Sequence, residues 1–295
     1  MTGTQTSFKQ VVVNGTRLAY RDTGSGDAIV LIHGNVSDHR TFSALEQMLL
    51  TSGHRVINYS RRFCWPNTPI NPDEEDPLDM HADDLIALIV KLEVGKAHLV
   101  GNSSGGFLAL LAARKRPDLV RSIVLEEAPV ISLFLPSLPP SVLQILSFLW
   151  YHPRAFLPVI KFGAIVIGSV TSAFKNGEDD KALDIFGRGV LGEKHYCRLT
   201  PERKEQMKRN IAPLRALLLG KGLPRFLEED AREVITPTLL LTASETPESQ
   251  KWIDQRLREV LPNAEQRIIP NASHLMHEDN TLDTFKEILD FVAQY

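Results

Sequence analysis

The chain has little cysteine, no excess of basic charge and no apolar run of membrane-spanning length. Its two cysteines, Cys64 and Cys197, lie far apart with no C-x-x-C spacing. That argues against a disulfide framework and a thiolate zinc site, and it suits a reducing compartment such as the cytoplasm. The 33 basic and 36 acidic residues leave a formal charge of −3. No region can neutralise a phosphate backbone, so nucleic acid is not an expected partner. Met1 to Gln10 is polar and lacks the apolar core of a signal peptide. The most apolar stretch, Ala155 to Val170, falls short of the roughly 20 residues of a membrane span, and Pro158 and Lys161 interrupt it. It is expected to form a cap helix packed on the core and lining an apolar pocket, with no stable membrane span. There is no internal repeat and no low-complexity tract.

The 43% hydrophobic and 23% charged residues are the balance of an ordinary globular protein. A length of 295 residues suits one large domain with an insertion, or two small ones. Phe8–Val13 and Arg17–Arg21 read as strands around an Asn14-Gly15 turn. Ala28–His33 is a short apolar run of the kind buried on both sheet faces. A helix is expected over about 40–50, a strand at Arg55–Tyr59, a loop rich in Pro, Asp and Glu over 61–79, and an amphipathic helix at Met80–Leu92. Strand, helix and strand follow at Ala97–Val100, Gly105–Arg116 and Ser122–Leu125. The alternation stops near Pro129 and resumes with a strand at Thr238–Thr242, a helix at Glu248–Val260, a strand at Glu265–Ile269 and a helix at Leu282–Gln294. This pattern predicts an α/β fold: a mostly parallel, doubly wound sheet over 1–129 and 232–295, interrupted by a helical cap over 130–231.

Gly101-Asn102-Ser103-Ser104-Gly105 matches G-x-S-x-G, with a strand before it and a helix after it. A serine on a strained strand-to-helix turn needs neighbours without bulk. The turn would lift Ser103 Oγ clear of the sheet and leave the Ser104 N–H free at a helix N-terminus, where it could stabilise an oxyanion. His33-Gly34-Asn35 follows the third strand and would lie beside that turn, with Asn35 N–H as the second oxyanion donor. Of nine histidines, His274 is the one placed just after the last strand, facing the turn. His277 lies three residues on; with no third ligand at metal spacing it reads as structural, and no metal site is expected.

These features together resemble the α/β-hydrolase fold superfamily, in the order of elements, the elbow, the His-Gly loop and the late histidine. The resemblance implies a Ser-acid-His triad. The acid has two candidates. Thr246 holds the usual position after the cap, with Glu245 and Glu248 off register. Glu126 and Glu127 end the strand before the cap, where zearalenone-type lactonases and some haloalkane dehalogenases carry a glutamate. Glu127 takes the matching register and Glu245 is the runner-up; Glu126 should point to the opposite side of its strand. Two strand spacings, roughly 10 Å, would separate Glu127's strand from the one before His274. Serine in place of the dehalogenase aspartate disfavours carbon–halogen and epoxide cleavage.

The implied reaction is hydrolysis of a hydrophobic carboxylic ester or lactone through an acyl-enzyme, with no metal or organic cofactor. Gly34, Trp65, Phe134 and Trp150 are the substrate-binding candidates, with further cap residues such as Leu138, Leu146, Phe148, Phe156 and Phe162 and the strand-end residues Arg61, Arg62 and Cys64 near the pocket. Carbon–carbon bond hydrolysis or lyase chemistry on the same triad stays open, as does a non-enzymatic small-molecule receptor. The sequence leaves the oligomeric state open, a homodimer included.

Overall fold

A computed structural model describes residues 8–71 and 74–295. Most of the polar segment 1–10 and two residues of the loop 61–79 lie outside it. Eight strands form one sheet: β1 (Lys9–Val13), β2 (Thr16–Thr23), β3 (Ala28–Ile32), β4 (Arg55–Tyr59), β5 (Ala97–Asn102), β6 (Val120–Glu126), β7 (Thr238–Ala243) and β8 (Ala264–Ile269), in the order β1-β2-β4-β3-β5-β6-β7-β8. The first two pairings are antiparallel and the rest parallel. The sequence dictates this division. β3, β5 and β7 are buried along their whole length and carry near-continuous apolar residues, as central parallel strands must. β1 alternates exposed and buried residues, as an edge strand with one wet face does.

Helices α1 (Ser43–Thr51) and the C-terminal Thr281–Val292 cover one face of the sheet. α2 (Leu78–Lys91), α3 (Ser104–Lys115) and Glu248–Val260 cover the other. The chain leaves β3 toward β4 on one side and returns to β5 on the other. The strand order therefore reverses between β3 and β5, and the carboxyl ends of these two strands form the crevice where open α/β sheets bind ligands.

Between β6 and β7 the chain is helical, with a separate apolar cluster around Val170, Phe174, Leu183, Tyr196, Met207 and Leu214. The apolar stretch at 155–170 departs from expectation. It belongs to one continuous 23-residue helix, Pro153–Lys175, with mean hydropathy 1.7 and only 17% of its most apolar window buried. Pro158 does not break it, and Phe162–Ile167 widens into a π-helical segment. Ala155, Val159, Val170, Ala173 and Phe174 pack inward, while Leu157 and Ile165 face out. The core takes one stripe of this helix and leaves the other uncovered.

Candidate active site

Ser103 sits between β5 and α3 with φ 54° and ψ −124°, a conformation that L-residues rarely adopt. Its amide donates to Glu126 O at 2.7 Å, which anchors the turn to the next strand. The surrounding glycines are forced. A methyl at Gly105 would lie 2.0 Å from Ile32 O, and one at Gly101 would lie 2.4 Å from Gly105 O. Ser104 is the first residue of α3, so its N–H has no partner within the helix and stands at the positive end of the helix dipole.

The loop after β3 is fixed from below. Buried His33 accepts the Arg61 N–H at Nε2 (2.9 Å), so Nδ1 carries the proton and donates to Gly34 O (2.8 Å). Burial, then the Arg61 charge, hold the His33 pKa well below its ordinary value. Gly34 packs so closely that a methyl there would meet Asn102 Oδ1 at 2.8 Å and Ser103 Cβ at 3.1 Å. The buried Arg61 guanidinium donates to Ser104 Oγ at 2.8 Å and to Asn35 Oδ1 at 3.0 Å. One side chain thereby couples the two loops whose amides flank Ser103.

His274 follows β8 and lines the same cavity as Ser103 and Asn35. Its Nδ1 lies 2.6 Å from Glu127 Oε2, and its carbonyl accepts from Asn102 Nδ2 at 2.9 Å. Glu127 directly follows β6, at φ 56°, and is fully buried. It also accepts from Ala243 N–H and from Thr246 Oγ1, both at 2.8 Å. The threonine in the usual acid position is thus a hydrogen-bond donor to the glutamate that touches the histidine. Burial, then the Glu127 charge, push the nearby Asp254 carboxyl well above the usual carboxylate range.

Glu245 does not reach His274. It pairs with Lys194 and, at 2.9 Å, with His195 Nε2, and so ties the cap to the core. Those partners hold its pKa down at about 2. Glu126 points to the other side of its strand, where Oε2 lies 2.5 Å from His277 Nδ1. His277 Nε2 lies 2.8 Å from Thr41 Oγ1, within a fully buried structural cluster. Among the described residues no three His, Cys, Asp or Glu side chains converge as metal ligands would.

The expected cap contacts need correction. The cavity over Ser103 is lined by Val36, Phe186, Val190, Leu191, Arg203, Met207 and Leu275. Phe134 instead stacks on Phe148, in a groove bordered by Leu143, Tyr151 and Arg256. Trp150 is 81% exposed, and Trp65 lies under the Arg40 guanidinium. Arg62 pairs with Asp84, and Cys64 is buried in the fold. The physical reason is the path of the chain. The first cap helices pack beside Glu248–Val260, and the later ones, Asp179–Leu191 and Pro201–Arg209, arch over the elbow. The repeat Leu183, Phe186, Val190 in the first of these is the signal available in the sequence, but nothing local says what that stripe faces. The cavity holds about 30 Å³, room for water and not for an ester.

A doubly wound sheet with a strained serine at its switch point and a carboxylate-held histidine beside it defines an α/β hydrolase. Residues 29–287 match the alpha/beta hydrolase family, and the chain belongs to it. It is 26% identical over 270 residues to the sn-1-specific diacylglycerol lipase ABHD11 of Mus musculus, covering 90% of this chain and 81% of that one. A thermophilic esterase from Thermogutta terrifontis has the same fold, with TM-score 0.74, 20% identity and 98% of both chains covered. So does Est816, described as an N-acyl homoserine lactone degrading enzyme, with TM-score 0.71, 19% identity, and 96% and 100% covered.

Proposed function

We propose that the protein is a serine hydrolase that cleaves a carboxylic ester or lactone with a hydrophobic moiety. The observation that carries this is the convergence of Ser103, on its strained elbow, with His274, whose Nδ1 is held by buried Glu127. Glu127 fixes the tautomer that leaves Nε2 as base. Ser103 Oγ attacks the carbonyl carbon as His274 takes its proton, and the Asn35 and Ser104 N–H groups receive the oxyanion. The alkoxide leaves with the proton from His274. Water, deprotonated by the same imidazole, then attacks the acyl-enzyme and restores Ser103. The apolar lining from Val36, Phe186, Val190 and Met207 suits an aliphatic or aromatic acyl group. Productive binding requires the later cap helices to move outward.

The test is labelling with a fluorophosphonate, which traps an activated serine. Labelling at Ser103 with steady-state release from p-nitrophenyl esters supports the reading. Labelling without turnover would indicate a receptor that keeps the triad, and absence of both would overturn the proposal.

A further inference from the structure

The site accounts for the later half of the cap and leaves its first half without a role. α4 (Val142–Tyr151) exposes Val142 (72%), Leu143 (78%), Leu146 (55%), Trp150 (81%) and Tyr151 (73%). The helix Pro153–Lys175, packed against it, adds exposed Leu157 (68%) and Ile165 (56%). So many large apolar side chains on two adjacent helices exceed the scattered exposure normal for a soluble surface.

Charge decides what covers this face. Between Glu127 and Glu178 the sequence contains no Asp or Glu, and its charged residues are Arg154, Lys161 and Lys175. All three are exposed. A second copy docking by two-fold symmetry would set Arg154, Lys161 and Lys175 against themselves, and Glu228, the carboxylate that borders the groove beside α4, is already paired with Arg232 and Arg256. A bilayer with anionic headgroups offers apolar depth and opposite charge together. Trp150 and Tyr151 are the residue types that settle at the headgroup boundary. The inward stripe of Pro153–Lys175, which is packed into the cap, and Lys161 near its middle favour a helix lying in the interface over one that spans the bilayer.

We propose that α4 and the outer stripe of Pro153–Lys175 form a peripheral docking surface for anionic lipid. The protein lies on the bilayer with these two helices in the interface, Leu157 and Ile165 in the acyl region and Lys161 at the phosphates. This goes beyond the hydrolase reading and does not depend on it, since the readout is binding.

The test is co-sedimentation of the full chain with vesicles of phosphatidylcholine, with and without 30 mol% phosphatidylglycerol. The expected result is binding to the anionic vesicles, weakened at least tenfold in 0.5 M NaCl, and a blue-shifted tryptophan emission that Trp150→Phe removes. The triple variant Leu143→Ser, Leu157→Ser, Ile165→Ser should bind at least tenfold more weakly, and Lys161→Glu should lose the preference for anionic lipid. Both should retain the parent's melting temperature and its rate on soluble p-nitrophenyl acetate. No binding by the parent, or undiminished binding by the folded triple variant, overturns the proposal. So does a dimer in sedimentation velocity that the triple variant dissolves, because the occupant would then be a second copy.

Discussion

Glu127 Oε2 lies 2.6 Å from His274 Nδ1, although the two residues follow strands, β6 and β8, that are separated by β7. The glutamate spans that gap, and Ala243 N–H, at the end of the intervening strand, and Thr246 Oγ1, in the turn after it, fix its carboxylate on the way. The carboxylate is therefore fixed from three sides before any substrate arrives.

Glu127→Gln should accordingly lose roughly 10⁴ in kcat, the cost of an imidazole left in the wrong tautomer. Glu245→Gln, which cuts only the tie to His195 and Lys194, should stay within a few-fold of the parent. Because Thr246 touches the same carboxylate, Thr246→Asp placed in the Glu127→Gln background should recover part of the loss. Steady-state rates on one soluble ester compare the four proteins. A dead Glu245→Gln beside an active Glu127→Gln would place the acid after the cap.

Strain at the elbow yields a separate expectation. Ser103 holds φ 54° with a side chain present. Ser103→Ala and Ser103→Gly should both abolish hydrolysis, by on the order of 10⁶ in kcat for a coupled triad. Glycine alone relieves the backbone, so Ser103→Gly should be more stable than Ser103→Ala by about 1 kcal/mol. Thermal melting of the two inactive proteins reads that difference directly; equal melting temperatures would mean that the turn stores no strain.

How much of this was legible in sequence depends on how local each signal was. The elbow, the order of strands and helices and His274 follow from short patterns with strong steric causes, and the chain does belong to the alpha/beta hydrolase family. Strand ends were read short: β5 runs to Asn102 and β6 to Glu126, because pairing carries polar residues into the sheet. The contacts between cap and site were not legible, for a different reason. Phe134 and Trp150 are apolar, but which helix arches over Ser103 is fixed by tertiary packing among helices of similar composition. The uncovered stripe of Pro153–Lys175 was missed because hydropathy alone does not distinguish core from surface.

The buried pair of Glu126 and His277 should govern the pH dependence of stability. Burial lowers the His277 pKa, but the charge and hydrogen bond of Glu126 outweigh it and raise it above 6.5. A raised histidine contributes stability that is fully present below about 6.5 and is lost as pH climbs through the folded value. Glu126→Gln removes the cause, and breaking a buried pair costs about 3–5 kcal/mol. The melting-temperature gap between parent and Glu126→Gln should be widest near pH 6 and narrow toward pH 9. A gap that grows with pH would have the wrong sign. Hydrolysis by the folded variant should be nearly unchanged, because Glu126 faces away from His274.

Arg61 carries the last prediction. Its guanidinium donates to Ser104 Oγ and Asn35 Oδ1, and Nε has no partner among the described residues. Those two residues supply the proposed oxyanion donors, so Arg61 sets their spacing and adds a buried positive charge beneath the place where negative charge would develop. Arg61→Met should lower kcat by roughly 10², comparable to losing one oxyanion donor, with KM little changed. Arg61→Lys should recover little, because its compact ammonium lacks the rigid planar fork that holds two acceptors at a fixed spacing. Kinetics on p-nitrophenyl acetate and butyrate, alongside circular dichroism of both variants, separate the possibilities. A rise in KM at constant kcat would show that Arg61 acts on ground-state binding. A fall in kcat with folded protein and unchanged KM is what positioning of the oxyanion donors requires.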